Sequence, residues 1–137
     1  MKRVMTWVGT LILMGVGFSA QSQDVNYLDS QMKETKKRQA SFVRELTELG
    51  NDTYSARITS ADGWVKCEGI YVFLEGKFME HGEFVFYYPS GQIESKGKYE
   101  YGVKVGSWER YTTGGTRKAD RFYDPESANL IRNVMKQ

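Results

Sequence analysis

The segment Gly82–Tyr111, GEFVFYYPSGQIESKGKYEYGVKVGSWERY, decides the fold because its glycine and aromatic pattern recurs at a fixed distance. Gly82, Phe84, Tyr87, Gly91 and Tyr99 are followed 24 residues later by Gly106, Trp108, Tyr111, Gly115 and Tyr123. An earlier copy precedes it: Gly63, Gly69 and Tyr71 lie 28 residues before Gly91, Gly97 and Tyr99, and Gly76 lies 26 residues before Gly102. Such periods are typical of stacked supersecondary units. The pattern therefore divides the chain into three repeats, residues 54–81, 82–105 and 106–124.

Each repeat predicts two short strands around a tight turn. The turns are residues 61–63, 89–91 and 113–115, and each ends in a glycine, which tolerates the positive φ that hairpin loops need. After the second turn the alternation places Ile93, Ser95, Gly97, Tyr99 and Tyr101 on one face and charged residues on the other. The aromatic content favours strands over helices. The predicted fold class is mainly β, an elongated antiparallel sheet of consecutive hairpins.

These residues resemble the MORN repeat (membrane occupation and recognition nexus), and look most like the bacterial variant grouped with toxin–antitoxin antitoxins. The resemblance covers about residues 63–123 and rests on Gly82, Phe84, Tyr87, Gly91, Tyr99, Gly102, Gly106, Trp108, Tyr111 and Gly115. Phe84 stands where the family has Trp, and Arg121 replaces the second-strand glycine of the other repeats. The resemblance implies a sheet used for binding or scaffolding, with no catalytic residues to carry over.

Residues 1–22 predict a cleaved secretory signal peptide. Lys2 and Arg3 precede an apolar stretch from Val4 to Phe18, which is shorter than the roughly 20 apolar residues of a membrane span. The small residues Ala20 and Ser22 suit cleavage before Gln23. We therefore expect an exported protein of the periplasm or the extracellular space; the alternative is an uncleaved membrane anchor.

The net charge of +2 comes entirely from the basic residues of this leader, so the mature chain is expected to be neutral. A neutral chain argues against nucleic-acid binding and against electrostatic attachment to a membrane. One Cys and one His exclude an intramolecular disulfide and leave too few soft ligands for a zinc site. We expect no metal and no cofactor.

The flanks of the repeats leave alternatives open. The N-terminal flank is residues 23–53. Residues 24–60 fit either a helical spacing or, preferably, a hairpin with a strand at 40–48, a turn at 50–52 and a return strand at 53–60. The charge run Lys36–Arg38 predicts solvated surface. Residues 125–137 predict a short helix with Leu130, Ile131, Val134 and Met135 on one face, or a frayed tail.

The residue pattern indicates no catalytic set. His81, the only histidine, lies at a repeat boundary, and a nucleophile would need it as a base. Cys67 falls in the small-residue column of Ser95 and Ala119, which predicts a packed residue. Glu94, Glu109 and the other strand carboxylates are interleaved with Lys and Arg, which predicts cross-strand ion pairs. We therefore expect no enzyme.

The aromatic columns are the candidate site. One interpretation is that they stack into the core of a thin sheet; the other is that one face stays open and binds a partner. The candidate partner-binding residues are Tyr87, Tyr88, Tyr99, Tyr101, Trp108 and Tyr111, and the repeat-defining glycines are Gly63, Gly69, Gly76, Gly82, Gly91, Gly97, Gly102, Gly106 and Gly115. The expected function is protein binding or scaffolding; the alternatives are toxin neutralisation and binding of an envelope glycan or lipid.

Overall fold

The computed structural model describes residues 23–137, which form one open antiparallel sheet whose eight strands follow chain order. The mainly β fold of consecutive hairpins predicted from the sequence is confirmed. The predicted signal peptide lies outside the described residues. The elements are β1 (Gln23–Leu28), β2 (Phe42–Gly50), β3 (Thr53–Ser60), β4 (Val65–Leu74), β5 (Lys77–Tyr87), β6 (Ile93–Glu100), β7 (Val103–Tyr111), β8 (Arg117–Tyr123) and the helix α1 (Glu126–Met135), with a short 3-10 turn at Lys37–Gln39.

Three loops at one end of the sheet share a single conformation. They are the predicted turns at 61–63, 89–91 and 113–115, and their final glycines have φ between 89° and 96°. In each loop the glycine N–H donates to the carbonyl of the residue before the loop, at 2.9 Å. A turn that ends in a left-handed residue matches the right-handed twist of the flanking strands. The repeated loop therefore sets the register of three successive hairpins in the same way.

The loops at the opposite end have two residues each, at 51–52, 75–76 and 101–102, and every one of these residues has positive φ. This backbone corresponds to a type I′ turn. Tyr101 adopts φ of 46°, which is uncommon for a bulky residue, and its N–H donates to Nδ1 of His81 at 3.1 Å. The prediction that Tyr101 continues the strand of Tyr99 is therefore wrong, because β6 ends at Glu100 and the chain reverses there.

One face of the sheet, the inner face, holds a row of packed rings that we call the aromatic ladder. It takes one residue from each of the strands β4 to β8: Tyr71, Phe84, Tyr99, Trp108 and Tyr123. Neighbouring ring centroids are 4.9–6.3 Å apart and the ring planes meet at 72–87°. This edge-to-face geometry is favourable for aromatic pairs. The ladder gives a single sheet the apolar core that a second layer would otherwise supply.

Two glycines on neighbouring strands make room for the largest rings of the ladder. The ring of Phe84 lies on the backbone of Gly69, and the indole of Trp108 lies on the backbone of Gly97. A Cβ added at either glycine would overlap the ring. Gly69 and Gly97 belong to the predicted repeat-defining set, so the repeat encodes a recess and the ring that fills it.

Strands β1 to β3 continue the core with aliphatic side chains. Leu28, Leu46 and Ile58 are almost fully buried beside the ladder. The preferred N-terminal hairpin is confirmed, with its first strand two residues later than predicted, and the helical alternative is wrong. Strand β1, which the sequence pattern did not predict, pairs antiparallel with β2 and forms one edge of the sheet.

The C-terminal segment is helical, as one of the two alternatives predicted. Ala128 is fully buried, and Arg132 forms an ion pair with Glu100 of β6 (Nη2 to Oε2, 2.8 Å). The predicted apolar face is only partly covered, because Leu130 and Val134 remain about two-thirds exposed. Ala128 and the Arg132–Glu100 ion pair therefore attach α1 to the sheet, while Leu130 and Val134 stay largely in solvent.

The contact between Gly97 and Trp108 predicts the outcome of one substitution. Gly97→Ala should lower the free energy of unfolding by about 1–3 kcal/mol, because the new methyl group displaces the indole from a filled core. Gly114→Ala is the matched control, since a Cβ there would meet only Thr112 Oγ1 at 3.9 Å, and should change stability by less than about 0.5 kcal/mol. Urea unfolding measures both values. Equal effects of the two substitutions would contradict this role of Gly97.

Candidate partner-binding surface

The six aromatic residues predicted to bind a partner lie in different environments. Tyr99 and Trp108 belong to the aromatic ladder, and the exposed fraction of Trp108 is only 1%. Their rings are part of the core, because neighbouring rings cover them. Tyr87, Tyr88, Tyr101 and Tyr111 are half-buried and each keeps part of its surface in solvent. A partner that docks on the folded sheet can use these four.

Tyr101 belongs to a cluster that connects the 101–102 loop to α1. Its ring centroid lies 4.4 Å from that of His81, and the Arg132 guanidinium lies 5.6 Å from its ring. Partial burial lowers the pKa of His81, and this outweighs the opposing effect of the Glu100 carboxylate. Because Nδ1 of His81 accepts a hydrogen bond from the Tyr101 amide, the histidine stabilises the loop in its neutral form.

Tyr87 lies on the outer face of the sheet, where its polar group is already paired. Its hydroxyl donates to Oε1 of Glu68 at 2.9 Å, and Arg57 forms an ion pair with the same carboxylate at 2.9 Å. The hydrogen bond from Tyr87, together with Arg57, lowers the pKa of Glu68 although burial opposes the shift. Trp64 and Pro89 border the site. This is a cross-strand cluster of the predicted kind, with its charges balanced.

Tyr88 lies in a different environment, on the inner face, and Tyr111 borders the same region from the end of β7. The Tyr88 hydroxyl donates to the backbone carbonyl of Tyr111 at 2.7 Å, and this hydrogen bond holds the Tyr88 ring against the end of β7. The two tyrosines border a depression of about 240 Å³ that we call the basic groove. It is lined by Tyr88, Trp108, Tyr111 and Tyr123, by Lys104, Arg110, Lys118 and Arg121, and by Glu94 and Ser95.

The floor of the basic groove carries a cation held against the end of the aromatic ladder. The ammonium group of Lys104 lies 4.5 Å from the Trp108 ring centroid and 5.5 Å from that of Tyr123. Cations are attracted to the faces of aromatic rings, and to Trp most of all. The groove therefore combines aromatic walls with a positioned positive charge.

A second cavity, of about 290 Å³, opens on the inner face, and Arg44 in its lining is fully engaged. The Arg44 side chain is buried and donates to Oδ1 of Asn26 (3.1 Å) and to Oε1 of Glu34 (3.0 Å). Its guanidinium also lies 5.1 Å from the ring of Tyr71. This network ties the connection between β1 and β2 to the core, so we assign it a structural role.

Cys67 lines the same cavity and is not a reactive thiol. It is buried, as predicted, and burial raises the pKa of its thiol to about 12. The nucleophilic form of cysteine is the thiolate. At neutral pH Cys67 is therefore a small packed side chain.

The cations of the basic groove were missed by the sequence prediction. The interleaved charges predict cross-strand ion pairs, and Lys96 and Glu109 do form one on the outer face, at 3.2 Å. Arg110, which the pattern places in the same set, faces the inner side instead and lines the groove. The sequence does contain a sign of this cation pair, because a hairpin loop at 113–115 places Lys118 directly opposite Arg110.

Within residues 23–137, no group of three or more His, Cys, Asp or Glu side chains is arranged to hold a metal ion. No helix in that same part of the chain combines the length and the apolar character needed to cross a membrane. Comparisons with protein-family models, curated proteins and solved structures found no match to the chain.

The environment of His81 predicts a pH dependence of stability. Because its pKa is lower in the folded protein than in the unfolded chain, its contribution to stability is complete above about pH 7.5 and decreases as the pH falls through about 6.5. His81→Asn keeps a side-chain acceptor for the Tyr101 amide but does not titrate. Urea unfolding at pH 7.5 and 5.5 should show a loss of stability that is smaller in the variant. An identical loss in both proteins would contradict the prediction.

Proposed function

We propose that the chain is an exported MORN-repeat protein without enzymatic activity, and that it binds a protein partner through the aromatic inner face of its sheet. The observation that carries the proposal is the basic groove, where half-buried tyrosines lie beside cations at the end of the aromatic ladder. Tyrosine and arginine are enriched among the residues that dominate protein interfaces. In the groove both types occur together, at the surface of the sheet.

The recurrence of one structural unit supports the assignment to MORN repeats. Phe84 and Trp108 occupy corresponding positions of two repeats, and each covers a glycine of the neighbouring strand. The loops that close the hairpins also recur with the same backbone conformation. A repeated hairpin of this kind suits a scaffold that presents a surface.

The reactive side chains favour binding over catalysis. His81 uses Nδ1 to hold the 101–102 loop, and Cys67 is buried as a neutral thiol. A nucleophile and a base would have to lie within hydrogen-bond reach of each other. No hydrogen bond joins these two side chains in the described part of the chain, and each has a structural role.

Site-specific photo-crosslinking tests the proposed partner surface. With p-benzoylphenylalanine at Tyr111, irradiation of living cells should yield a covalent adduct with one defined protein. Leu49 is the control position, because it is about half exposed and lies far along the sheet from the groove. No adduct at Tyr111, or the same adducts at both positions, would contradict partner binding through the groove.

Export is tested on the protein as it accumulates in its host. If residues 1–22 are a cleaved signal peptide, mass spectrometry of the exported fraction should find a chain that begins at or close to Gln23. Recovery of the full chain starting at Met1, in the cytoplasmic fraction, would contradict export.

A further inference from the structure

Strand β8 forms an open edge of the sheet beside the basic groove. Within the described part of the chain it pairs with β7 alone, so its other side has no strand neighbour. The residues from Arg117 to Phe122 are all exposed, and Phe122, on this edge strand, exposes 68% of its surface. An exposed strand edge is a template for pairing with another extended chain.

The charges near this edge are balanced on the outer face. Arg117 of β8 forms ion pairs with Glu109 (3.2 Å) and with Asp120 (3.0 Å), and Glu109 also pairs with Lys96 (3.2 Å). Each of these cations therefore has a carboxylate partner from the chain itself.

The charges in the basic groove are not balanced. The groove contains four cations and a single carboxylate, that of Glu94. Among residues 23–137, none of the four forms an ion pair; they are Lys104, Arg110, Lys118 and Arg121. Arg110 also donates from Nε to the carbonyl of Ala119 at 3.2 Å, which holds its guanidinium over β8. A set of cations without carboxylate partners complements a partner that carries negative charge.

We propose that β8 is the docking edge for an acidic, extended segment of a protein partner, which adds to the sheet as a further strand and places its carboxylates in the basic groove. The proposal rests on the proposed function, since it specifies the chemistry of the partner at the same site. Main-chain hydrogen bonds to β8 supply affinity in this mode of recognition, and side-chain pockets supply specificity.

The composition of β8 selects against other strands. Lys and Arg on an edge repel a basic segment and discourage pairing between copies of the same edge. An acidic segment meets no such penalty. Because side chains alternate between faces, every second residue of the added strand would face the groove, while the residues between them would lie on the side of Phe122.

A titration followed by ¹H–¹⁵N NMR tests this pairing on protein purified as its host processes it. The probe is a capped peptide of about eight residues that alternates glutamate and threonine, long enough to span β8. It should shift the amide signals of Arg117–Tyr123 and slow their exchange with solvent. A lysine–threonine peptide should cause no shift, and a glutamate–proline peptide, which cannot pair as a strand, should bind about tenfold more weakly or not at all.

Charge reversal provides the matched variants. Lys118→Glu with Arg121→Glu should weaken binding of the glutamate–threonine peptide about tenfold or more. Lys37→Glu with Arg38→Glu makes the same change of charge at exposed positions of the 3-10 turn, and should leave binding within about twofold of the parent. The NMR spectrum of each variant shows directly whether the fold is retained.

Three results would overturn the proposal. The glutamate–threonine peptide shifts no signal of β8; or both double variants bind the peptide equally; or the protein sediments with phosphatidylglycerol vesicles but ignores the peptide, which assigns the groove to a membrane surface. An adduct at Tyr111 in cells without any peptide binding would leave the proposed function intact and reject only the acidic strand. Peptide binding without a cellular adduct at Tyr111 would support pairing of an acidic strand with β8 and contradict the proposed function.

Discussion

The contact on which the rest of the structure depends is that of an aromatic ring lying on a glycine of the adjacent strand. A single sheet has no second layer to cover it, so its core must be built from side chains that pack against one another along one face. Gly97 allows this for Trp108, and Gly69 allows it for Phe84. The glycine thus weakens its own strand locally, but it creates the recess in which a large ring is buried. Loops of fixed conformation at both ends then keep the rings in register from strand to strand.

The end of the repeats explains why the candidate site lies where it does. In the last repeat Arg121, opposite Trp108, takes the position that glycine holds earlier, and among residues 23–137 no further strand brings a ring to cover it. The surface that is core elsewhere therefore becomes the basic groove, with Trp108 and Tyr123 in its wall and Lys104 against them. The aromatic ladder stabilises the sheet along its length, and the basic groove lies where the ladder ends.

The sequence predicted those parts of the fold that depend on neighbours in the chain. Hairpin loops at 61–63, 89–91 and 113–115 follow from their glycines, and the alternation in β6 follows from the strand period. Strand β1 was missed because it is held by pairing with β2 across an intervening loop, and its own residues carry no strong strand pattern. The turn at Tyr101 was missed because its positive φ is stabilised by His81, 20 residues away in the chain.

The candidate site was predicted only in part, because burial and facing depend on contacts between strands that are distant in the sequence. The tyrosines were identified from their spacing, but spacing alone could not separate Tyr99 and Trp108, which are buried, from Tyr88 and Tyr111, which border the groove. The cations were not predicted because Glu109 and Arg110 were grouped together, although neighbouring residues of a strand point to opposite faces. Lys96 meets Glu109 as the simple alternation suggests, whereas Arg110 lines the groove.

A double-mutant cycle between Gly97 and Trp108 tests the central claim most directly. The free energy of unfolding is measured for the parent protein, for Gly97→Ala, for Trp108→Leu and for the combination. If the glycine is required only because the indole lies on it, the alanine should be strongly destabilising beside tryptophan and nearly neutral beside the smaller leucine, with a coupling energy of about 1–3 kcal/mol. An alanine that costs the same stability in both backgrounds would show that the ring and the glycine act independently, and would contradict this account of the fold.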